Sequence, residues 1–297
     1  MRGRDSKGII SIFILWAVFI SVLIAIGVGY RATLELKSAS YHRDRVVARN
    51  LLWNGLNQAF KILEKDSESN GVDCLNDNWC LPFDYQSRDG ICHIEIMDED
   101  RKVNINFASD ALLKQIFNTE FANSIIDWRD EDEESFLDYP FRNGPLKSLY
   151  ELRYVKGGEN LKPEEMDEIK RTFTVYGDDK LNINTVNQEV FDIVMTAYNL
   201  DNIKNDLWRI REGGDYFESL SPHYIAQLVY RKNFDDLDKD IQNSIQKLNN
   251  FFKVSSDYFR IYLMATTNRG IKKEVAVVIK RESGFDILNW KENFWTQ

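Results

Sequence analysis

The sequence opens with an uncharged, almost entirely apolar run at residues 9–30. As a helix this run spans about 33 Å, which is enough to cross the hydrocarbon core of a bilayer and exceeds the apolar core of a removable secretory signal. We therefore predict a retained membrane helix over residues 9–30. The leader before it, residues 1–8, carries three basic side chains and one acidic side chain. This balance favours a cytoplasmic leader, with the rest of the chain on the outer side of the membrane.

Beyond residue 30 the pattern becomes amphipathic. Apolar residues recur every three or four positions as far as Leu63, at Leu34, Leu36, Val46, Val47, Leu51, Leu52, Leu56, Phe60 and Leu63. This spacing predicts that the membrane helix continues as one long helix and that its second half packs against a sheet.

Alternating patterns then predict strands. Residues 91–96 and 101–106 alternate apolar and polar side chains on either side of an acidic triplet, residues 98–100, which predicts a hairpin. Residues 254–267 and 271–281 are rich in β-branched and aromatic residues around a tight turn, which predicts a second hairpin. Residues 285–290 are a candidate edge strand.

The middle of the chain has helical patterns and a weak internal repeat. The segment KVNIN at residues 102–106 returns as KLNIN at residues 180–184, and each copy precedes a helix with a capping signal. The predicted fold class is α+β, a long N-terminal helix packed on an antiparallel sheet that a large helical insertion interrupts. We assign residues 31–107 to the soluble part of the helix and the first strands. Residues 108–250 form the insertion, with a short strand near 172–184, and residues 251–297 complete the sheet.

The charge of the chain argues against nucleic acid as a partner. The formal net charge is -9 at pH 7, so the surface repels phosphate backbones. Residues 181–220 nevertheless look like a helix-hairpin-helix DNA-binding unit. The glycine-rich hairpin whose amides would meet a phosphate is replaced by residues 198–202, YNLDN, which disfavours DNA.

Three cysteines, Cys74, Cys80 and Cys92, follow the membrane helix in a compartment that we expect to be oxidising. We predict a disulfide between Cys74 and Cys80, because the short loop between them closes at low entropic cost. Cys92 would be left over. A zinc site would need four ligands, and only His93 stands near.

The acidic run that begins at Asp127 has the spacing of a metal site. Asp130, Asp132 and Glu134 present carboxylates at alternate positions, as calcium loops often do, with Asp127 and Asp138 within reach. The run is not an EF-hand, because the sharp-turn glycine and the closing glutamate are missing. The alternative is a solvated loop of like charges.

No catalytic constellation stands out in the sequence. The three histidines, His42, His93 and His223, lie in unrelated segments, and no serine or cysteine stands in a nucleophile motif. We therefore expect a protein without enzymatic activity.

The left border of the apolar run resembles a processing site. Gly8 is followed directly by Ile9, as at the junction that prepilin peptidase cuts, and cleavage there would leave the apolar helix on the mature protein. The alternative is an ordinary single-pass anchor preceded by a chance glycine.

Taken in order, these features resemble the minor pseudopilin K family of type II secretion (general secretion pathway protein K). The resemblance covers nearly the whole chain and rests on the Gly8 and Ile9 junction, the apolar helix and short motifs at residues 103–106, 125–130, 148–153, 181–185 and 254–259. Most pilin-like proteins carry glutamate at the fifth mature residue, but this family does not, and Phe13 stands there in this chain. The chain departs from the family in lacking a proline-glycine hairpin after the second repeat.

The resemblance implies a pilin-like domain split by an insertion of SAM-like or helix-hairpin-helix-like helices, at the tip of a short pseudopilus with minor pseudopilins I and J. It implies cleavage after Gly8 by prepilin peptidase and methylation of the Ile9 amine. The protein would lie in the bacterial inner membrane before assembly, in contact with lipid and the assembly platform, with its bulk in the periplasm. The resemblance also favours calcium at Asp127, Asp130, Asp132, Glu134 and Asp138.

The sequence leaves two other functions open. One is a minor pilin of a type IV pilus, and the other is a membrane-tethered protein that grips DNA with its hairpin-like helices. The net negative charge disfavours the second of these.

Overall fold

The computed structural model describes residues 5–69, 71–130 and 143–293. Its first element, α1 (Asp5–Ser69), is one helix of 65 residues. At the helical rise it is about 100 Å long. The prediction that the apolar run continues into the soluble part as a single helix is confirmed.

Strands and α-helices follow α1, with strands grouped at both ends of the segment and mostly helices between them. In order they are β1 (Phe83–Ser87), β2 (Gly90–Asp98), β3 (Val103–Asn104), α2 (Asp110–Ile116), α3 (Thr119–Arg129), α4 (Pro163–Thr172), β4 (Phe173–Thr174), β5 (Leu181–Asn182), α5 (Gln188–Ala197), α6 (Asp201–Glu212), α7 (Pro222–Ile225), α8 (Lys239–Phe251), β6 (Phe252–Lys253), β7 (Tyr258–Thr267), β8 (Lys272–Arg281) and β9 (Phe285–Asn293).

Five of these strands form one antiparallel sheet in the order β1-β2-β7-β8-β9. The second half of α1 lies across this sheet, and the two share a core that includes Leu52, Leu56, Ile94, Phe259 and Ile261. The predicted amphipathic stripe therefore faces the sheet from Val47 to Leu63, whereas Leu34, Leu36 and Val46 are exposed. The C-terminal hairpin and the last edge strand are confirmed as β7, β8 and β9.

A glycine lets α1 approach the sheet closely. A Cβ atom at Gly55 would lie 2.6 Å from Sγ of Cys92, which is below any normal contact. Cys92 is fully buried on β2, so its thiol fills the space that a larger residue at position 55 would need.

The first predicted hairpin is wrong in its partner. Strand β2 pairs with β1, which the sequence pattern did not predict, and with β7. Residues 103–104 form β3, which leaves the main sheet and pairs with β4 in parallel. The acidic triplet between them is not an exposed turn, because Asp98, Glu99 and Asp100 are each at most 2% exposed.

The insertion between β2 and β7 is built from two units of the same design. The first unit begins with β3 and ends with β4, and the second begins with β5 and ends with β6. In each unit the first strand pairs in parallel with the last, and helices fill the chain between them. The two units share a second hydrophobic core, which includes Ile105, Phe173, Ile183, Phe191 and Phe252. The structure therefore has one core under the sheet and another inside the insertion.

Candidate functional site

The N-terminal half of α1 stands outside the packed structure. Its large apolar side chains from Ile10 to Tyr30 are all exposed, with Phe13 72% exposed, and the first buried position along the described part of the helix is Asp44. By length and composition α1 can cross a membrane. So much exposed apolar surface needs lipid or other helices to cover it. Gly8 and Ile9 lie in the first turns of α1, where only the backbone is described, and cleavage between them stays a prediction.

The repeated sequence motif occupies equivalent places in the two units of the insertion. Oδ1 of Asn104 accepts from the amide of Asn106 at 3.0 Å, and Oδ1 of Asn182 accepts from the amide of Asn184 at 2.9 Å. The second asparagine of each pair then bonds both backbone groups of one distant residue. Asn106 bonds the amide and carbonyl of Leu146 at 2.7 and 3.0 Å, and Asn184 bonds those of Phe217 at 2.8 and 2.9 Å.

An arginine completes each unit. The guanidinium of Arg129 at the end of α3 donates to the carbonyl oxygens of Ile105 and Ala108. The guanidinium of Arg211 near the end of α6 donates to the carbonyl oxygen of Val186, which holds the place of Ala108 in the second unit. Burial lowers the pKa of both arginines, and that of Arg211 to about 10. This equivalence was not predicted from the sequence, although both arginines stand close after a tryptophan, at WR and WRIR.

The buried acidic triplet joins the sheet to both units. Oδ2 of Asp98 accepts from Oγ of Ser256 at 2.6 Å and from the hydroxyl of Thr185 in the second unit. Glu99 accepts from Arg260 of β7 at 2.6 and 2.8 Å and from Thr174 of the first unit at 2.8 Å. We call this region, residues 98–100 with their partners, the junction.

The third residue of the triplet binds the end of the second unit. Oδ2 of Asp100 lies 3.0 Å from Nζ of Lys253 and accepts from the amide of Asp257 at 2.7 Å. All three carboxylates are thus held by donors from other segments of the chain. The junction fixes where the insertion lies on the sheet.

Burial raises the pKa values of the three junction carboxyls, whereas their cationic and hydrogen-bonding partners lower them. Burial, with repulsion from Asp100, raises the pKa of Asp98 to about 7. Burial likewise raises the pKa of Asp100 to about 6, against the pull of Lys253. Burial also acts on Glu99, but the hydrogen bonds and charges of Arg260 and Lys102 outweigh it and hold the pKa of Glu99 below its usual value.

The predicted disulfide partners lie in one loop beside the sheet. Sγ of Cys80 lies 3.3 Å from the carbonyl oxygen of Cys74, and Sγ of Cys74 lies 3.3 Å from Oδ1 of Asp77. All three cysteines are free thiols in this structure, so the disulfide between Cys74 and Cys80 stays a prediction. Burial raises the pKa of Cys74 to about 11 and those of Cys80 and Cys92 to about 12, which makes them poor nucleophiles.

Only part of the predicted calcium run is described. Asp127 is buried near the end of α3, and Asp130 follows the last residue of that helix. Asp132, Glu134 and Asp138 lie outside the described residues. Two carboxylates at a helix C-terminus are a chemically suitable start for a calcium site, since cations are favoured there.

In the segment that looks like a DNA-binding hairpin, three backbone amides of the connection between its helices are already occupied. Its helices are α5 and α6, and Asn199 between them adopts a left-handed conformation with φ 56°. The amides of Tyr198, Asn199 and Leu200 all donate to carbonyl oxygens of α5, at 3.2, 3.2 and 2.8 Å. None of these three amides is left to meet a phosphate.

Comparison with known proteins addresses the fold. No family model matches the sequence, and no curated protein matches it. Among solved structures, a chain of the GspK-GspI-GspJ complex from the type 2 secretion system of enterotoxigenic Escherichia coli matches with a TM-score of 0.65. The match covers 86% of this chain and 100% of that chain at 18% sequence identity. The fold of this chain, a long helix on an antiparallel sheet that carries a helical insertion, is therefore shared with a chain of that complex.

Proposed function

We propose that this chain is a minor pseudopilin of a type II secretion system, made as a single-pass inner-membrane protein with its sheet and insertion in the periplasm. The observation that carries the proposal is the exposed apolar half of α1, which the rest of the chain leaves uncovered. Lipid covers this surface before assembly, and neighbouring helices of the pseudopilus cover it afterwards. The assembly platform of the inner membrane supports that exchange. The role is structural and needs no catalysis.

Processing is the first step of this function. Prepilin peptidase cuts between Gly8 and Ile9, and the new amine of Ile9 is methylated. Protein purified from cells that hold the peptidase should begin at Ile9, with the mass of one added methyl group, by N-terminal sequencing and intact mass. The variant Gly8→Val should stay uncut, because the peptidase requires glycine there. Mature protein that still begins at Met1 would overturn the proposal.

Phe13 gives a physical reason for a position at the pseudopilus tip. In other pilins a glutamate at this place pairs, within the membrane, with the positive N-terminus of a neighbouring subunit. Phe13 cannot make that pair, and the bulky insertion would block further stacking. We expect Phe13→Glu subunits to spread along filaments, seen by immunogold labelling, whereas wild-type subunits stay at one end. The variant Ile12→Val serves as a control, since it leaves the charge unchanged. Tip location that persists in Phe13→Glu would remove Phe13 from the explanation.

The partners proposed for this chain are minor pseudopilins of the I and J types. The solved complex that shares the fold contains GspK, GspI and GspJ. Co-expression of this chain with the I and J subunits of the same secretion system should give a complex that co-purifies in detergent. A chain that stays alone, although each subunit is folded, would contradict this assignment. Appearance with type IV pilus subunits instead would favour the minor-pilin alternative.

We also propose that the acidic run Asp127, Asp130, Asp132, Glu134 and Asp138 binds calcium in the insertion. Its support is the chemistry of crowded carboxylates, which repel one another unless a cation neutralises them. Calcium titration of Asp132→Asn with Glu134→Gln, against wild type, tests this site. Unchanged calcium affinity in the double variant would contradict it.

A further inference from the structure

Three aspartates meet where α1 ends and the cysteine loop begins. Asp66 lies in the last turn of α1, Asp73 follows the helix, and Asp77 lies between the two cysteines of the loop. One carboxylate oxygen from each of the three lies within 4.8 Å of the other two. Burial, followed by the charges of Asp77 and Asp73, raises the pKa of Asp66 to about 7. The three carboxylates repel one another when they are ionised, and a positive charge between them would remove this repulsion.

Asp73 is the member of this cluster that requires a ligand. It is 1% exposed. Its Oδ2 accepts from the guanidinium of Arg281 at 2.5 Å and from the amide of Ser256 at 2.7 Å. Its Oδ1 is buried and, while the neighbouring carboxyl of Asp66 is ionised, has no hydrogen-bond donor in the described part of the chain. A buried carboxylate oxygen without a donor is costly, so a group other than a side chain of these segments is expected beside it.

The charges around the cluster fit a divalent cation. Three carboxylates and the guanidinium of Arg281 leave two negative charges when all are ionised. The C-terminus of a helix also carries partial negative charge and favours cations, and Asp66 belongs to the last turn of α1. A divalent cation would balance the cluster.

The donor atoms identify the class of cation. Carboxylate oxygens bind hard cations such as Ca²⁺ and Mg²⁺ rather than zinc or copper. Mg²⁺ demands near-octahedral geometry, whereas Ca²⁺ accepts six to eight oxygens in flexible arrangements. Carboxylates from a helix end and an irregular loop suit the flexible coordination of Ca²⁺ better. We propose that Asp66, Asp73 and Asp77 form a calcium site, separate from the acidic run that begins at Asp127.

The position of the site gives calcium a mechanical role. A bound ion would join the end of α1 to the cysteine loop. Through Asp73 it would also reach Arg281 of β8 and the backbone of Ser256, whose hydroxyl bonds Asp98 of the junction. Calcium would therefore fix the insertion relative to the long helix.

Trp79 provides a local readout of this site. Its Nε1 donates to Oδ2 of Asp77 at 3.2 Å, so a terbium ion bound in place of calcium lies close enough to be excited through this indole. Full-length protein in detergent, stripped with EDTA, should show terbium luminescence that calcium displaces. Trp79→Phe should remove most of this component, whereas Trp128→Phe, beside the acidic run, should leave it unchanged.

The variants Asp66→Asn and Asp77→Asn test the ligands directly. Each removes one charge but leaves the ion pair of Asp73 with Arg281 intact. We expect each to weaken calcium binding by about tenfold or more. We also expect saturating calcium to raise the Tm of the wild type by about 5 °C and to leave both variants nearly unchanged. Asp110→Asn on α2 is the matched control, because Asp110 is an exposed partner of Lys114, and it should behave as the wild type.

Two results would overturn the proposal. In the first, calcium binding survives in Asp66→Asn and Asp77→Asn, and the terbium signal depends on Trp128 alone, which would place all calcium in the acidic run. In the second, calcium leaves the Tm unchanged while Asp66→Asn stabilises the EDTA-treated protein at pH 7. That outcome would mean that Asp66 and Asp73 share a proton rather than an ion.

Discussion

At the scale of the residue, Gly55 shows a conflict between local preference and packing. Alanine is favoured over glycine inside a helix by about 1 kcal/mol. In this structure, however, the added Cβ would meet Sγ of Cys92 at 2.6 Å in a fully buried position. Overpacking of a core costs about 1 to 3 kcal/mol, so packing should decide the sign.

We therefore predict that Gly55→Ala destabilises the protein by about 1 kcal/mol, measured by urea unfolding in detergent. The double variant with Cys92→Ala provides the control, because it removes the sulfur that the new methyl group meets. The two substitutions together should cost less than the sum of their separate effects. A higher stability of Gly55→Ala in the wild-type background would show that the helix is not held this close to β2.

Asp98 is a second residue in such a conflict, because its buried position disfavours the ionised form of its carboxyl group. Burial raises its pKa to about 7, above the ordinary value near 3.8 that it keeps when the chain unfolds. The folded state therefore binds the proton more tightly than the unfolded state. Stability is greatest below the unfolded pKa and falls as the pH rises through the window between 3.8 and about 7.

We predict that Asp98→Asn removes this loss. A single group of this kind changes stability by at most about 1.4 kcal/mol per pH unit. The free energy of unfolding, measured with denaturant in EDTA from pH 4 to pH 8, should therefore fall less steeply with rising pH for the variant than for the wild type. Asp73 and Asp100 face Asp98 and titrate in both proteins, so the difference between the two curves reports position 98. Parallel curves would show that Asp98 stays ionised throughout.

At the scale of the element, the paired asparagines explain how short strands and loops are held in the insertion. Strands β3 and β5 have only two residues each. Asn106 and Asn184 compensate by binding both backbone groups of a distant loop residue. Each asparagine side chain makes the two backbone hydrogen bonds that a neighbouring strand would otherwise make with the loop.

We predict that Asn184→Ala lowers the free energy of unfolding by about 2 kcal/mol, because it leaves the buried amide and carbonyl of Phe217 without partners. Asn106→Ala should cost less, since Asn106 is only half-buried and water can replace its amide. Asn205→Ala on the exposed face of α6 is the control and should be neutral or slightly stabilising. Equal effects at all three positions, measured by urea unfolding, would contradict this role.

Sequence patterns anticipated the elements with long regular periods. The amphipathic stripe from Val47 to Leu63 and the β-branched stretches of β7 and β8 were predicted correctly, because burial on one face leaves a clear period. The earlier members of the stripe, Leu34, Leu36 and Val46, are exposed instead. The echo of KVNIN and KLNIN also marked the start of both units. Strand β1 was missed, because it lies in a polar stretch at the sheet edge and buries none of its side chains fully.

The junction could not be anticipated for a different reason. Three consecutive acidic residues are usually a solvated turn. Their burial depends on Arg260, Lys253 and Ser256, which are distant in sequence and come close only in the folded chain. The same holds for the cluster of Asp66, Asp73 and Asp77, whose members lie at the end of α1 and in the polar segment after it, without a recognisable spacing.

At the scale of the whole molecule, the insertion behaves as a domain placed within a hairpin. Asp98 and Phe259 are direct partners in the register of β2 and β7, so the chain leaves the sheet and returns to it at the same place. The two hydrophobic cores are separate. The ends of β2 and β7 are therefore close enough to be joined directly, without the insertion.

We predict that a shortened chain, with residues 99–258 replaced by an Asn-Gly turn, folds into α1 and the five-stranded sheet. Circular dichroism and cooperative thermal unfolding in detergent would check it. A second shortened chain that uses a two-proline link, which cannot form the turn, is the control and should unfold at a lower temperature. A soluble but unfolded Asn-Gly chain would show that the sheet needs the junction to form.

The unbroken course of α1 has a consequence for motion. No proline lies between residues 5 and 69, and the exposed apolar half runs into the sheet-bound half without a cap or a break. A rotation of the apolar half about the helix axis, or a translation along it, is therefore transmitted through the continuous helix to the sheet. Under the proposed pseudopilin function, a subunit that leaves the bilayer would move its sheet and its insertion together with the apolar half of α1.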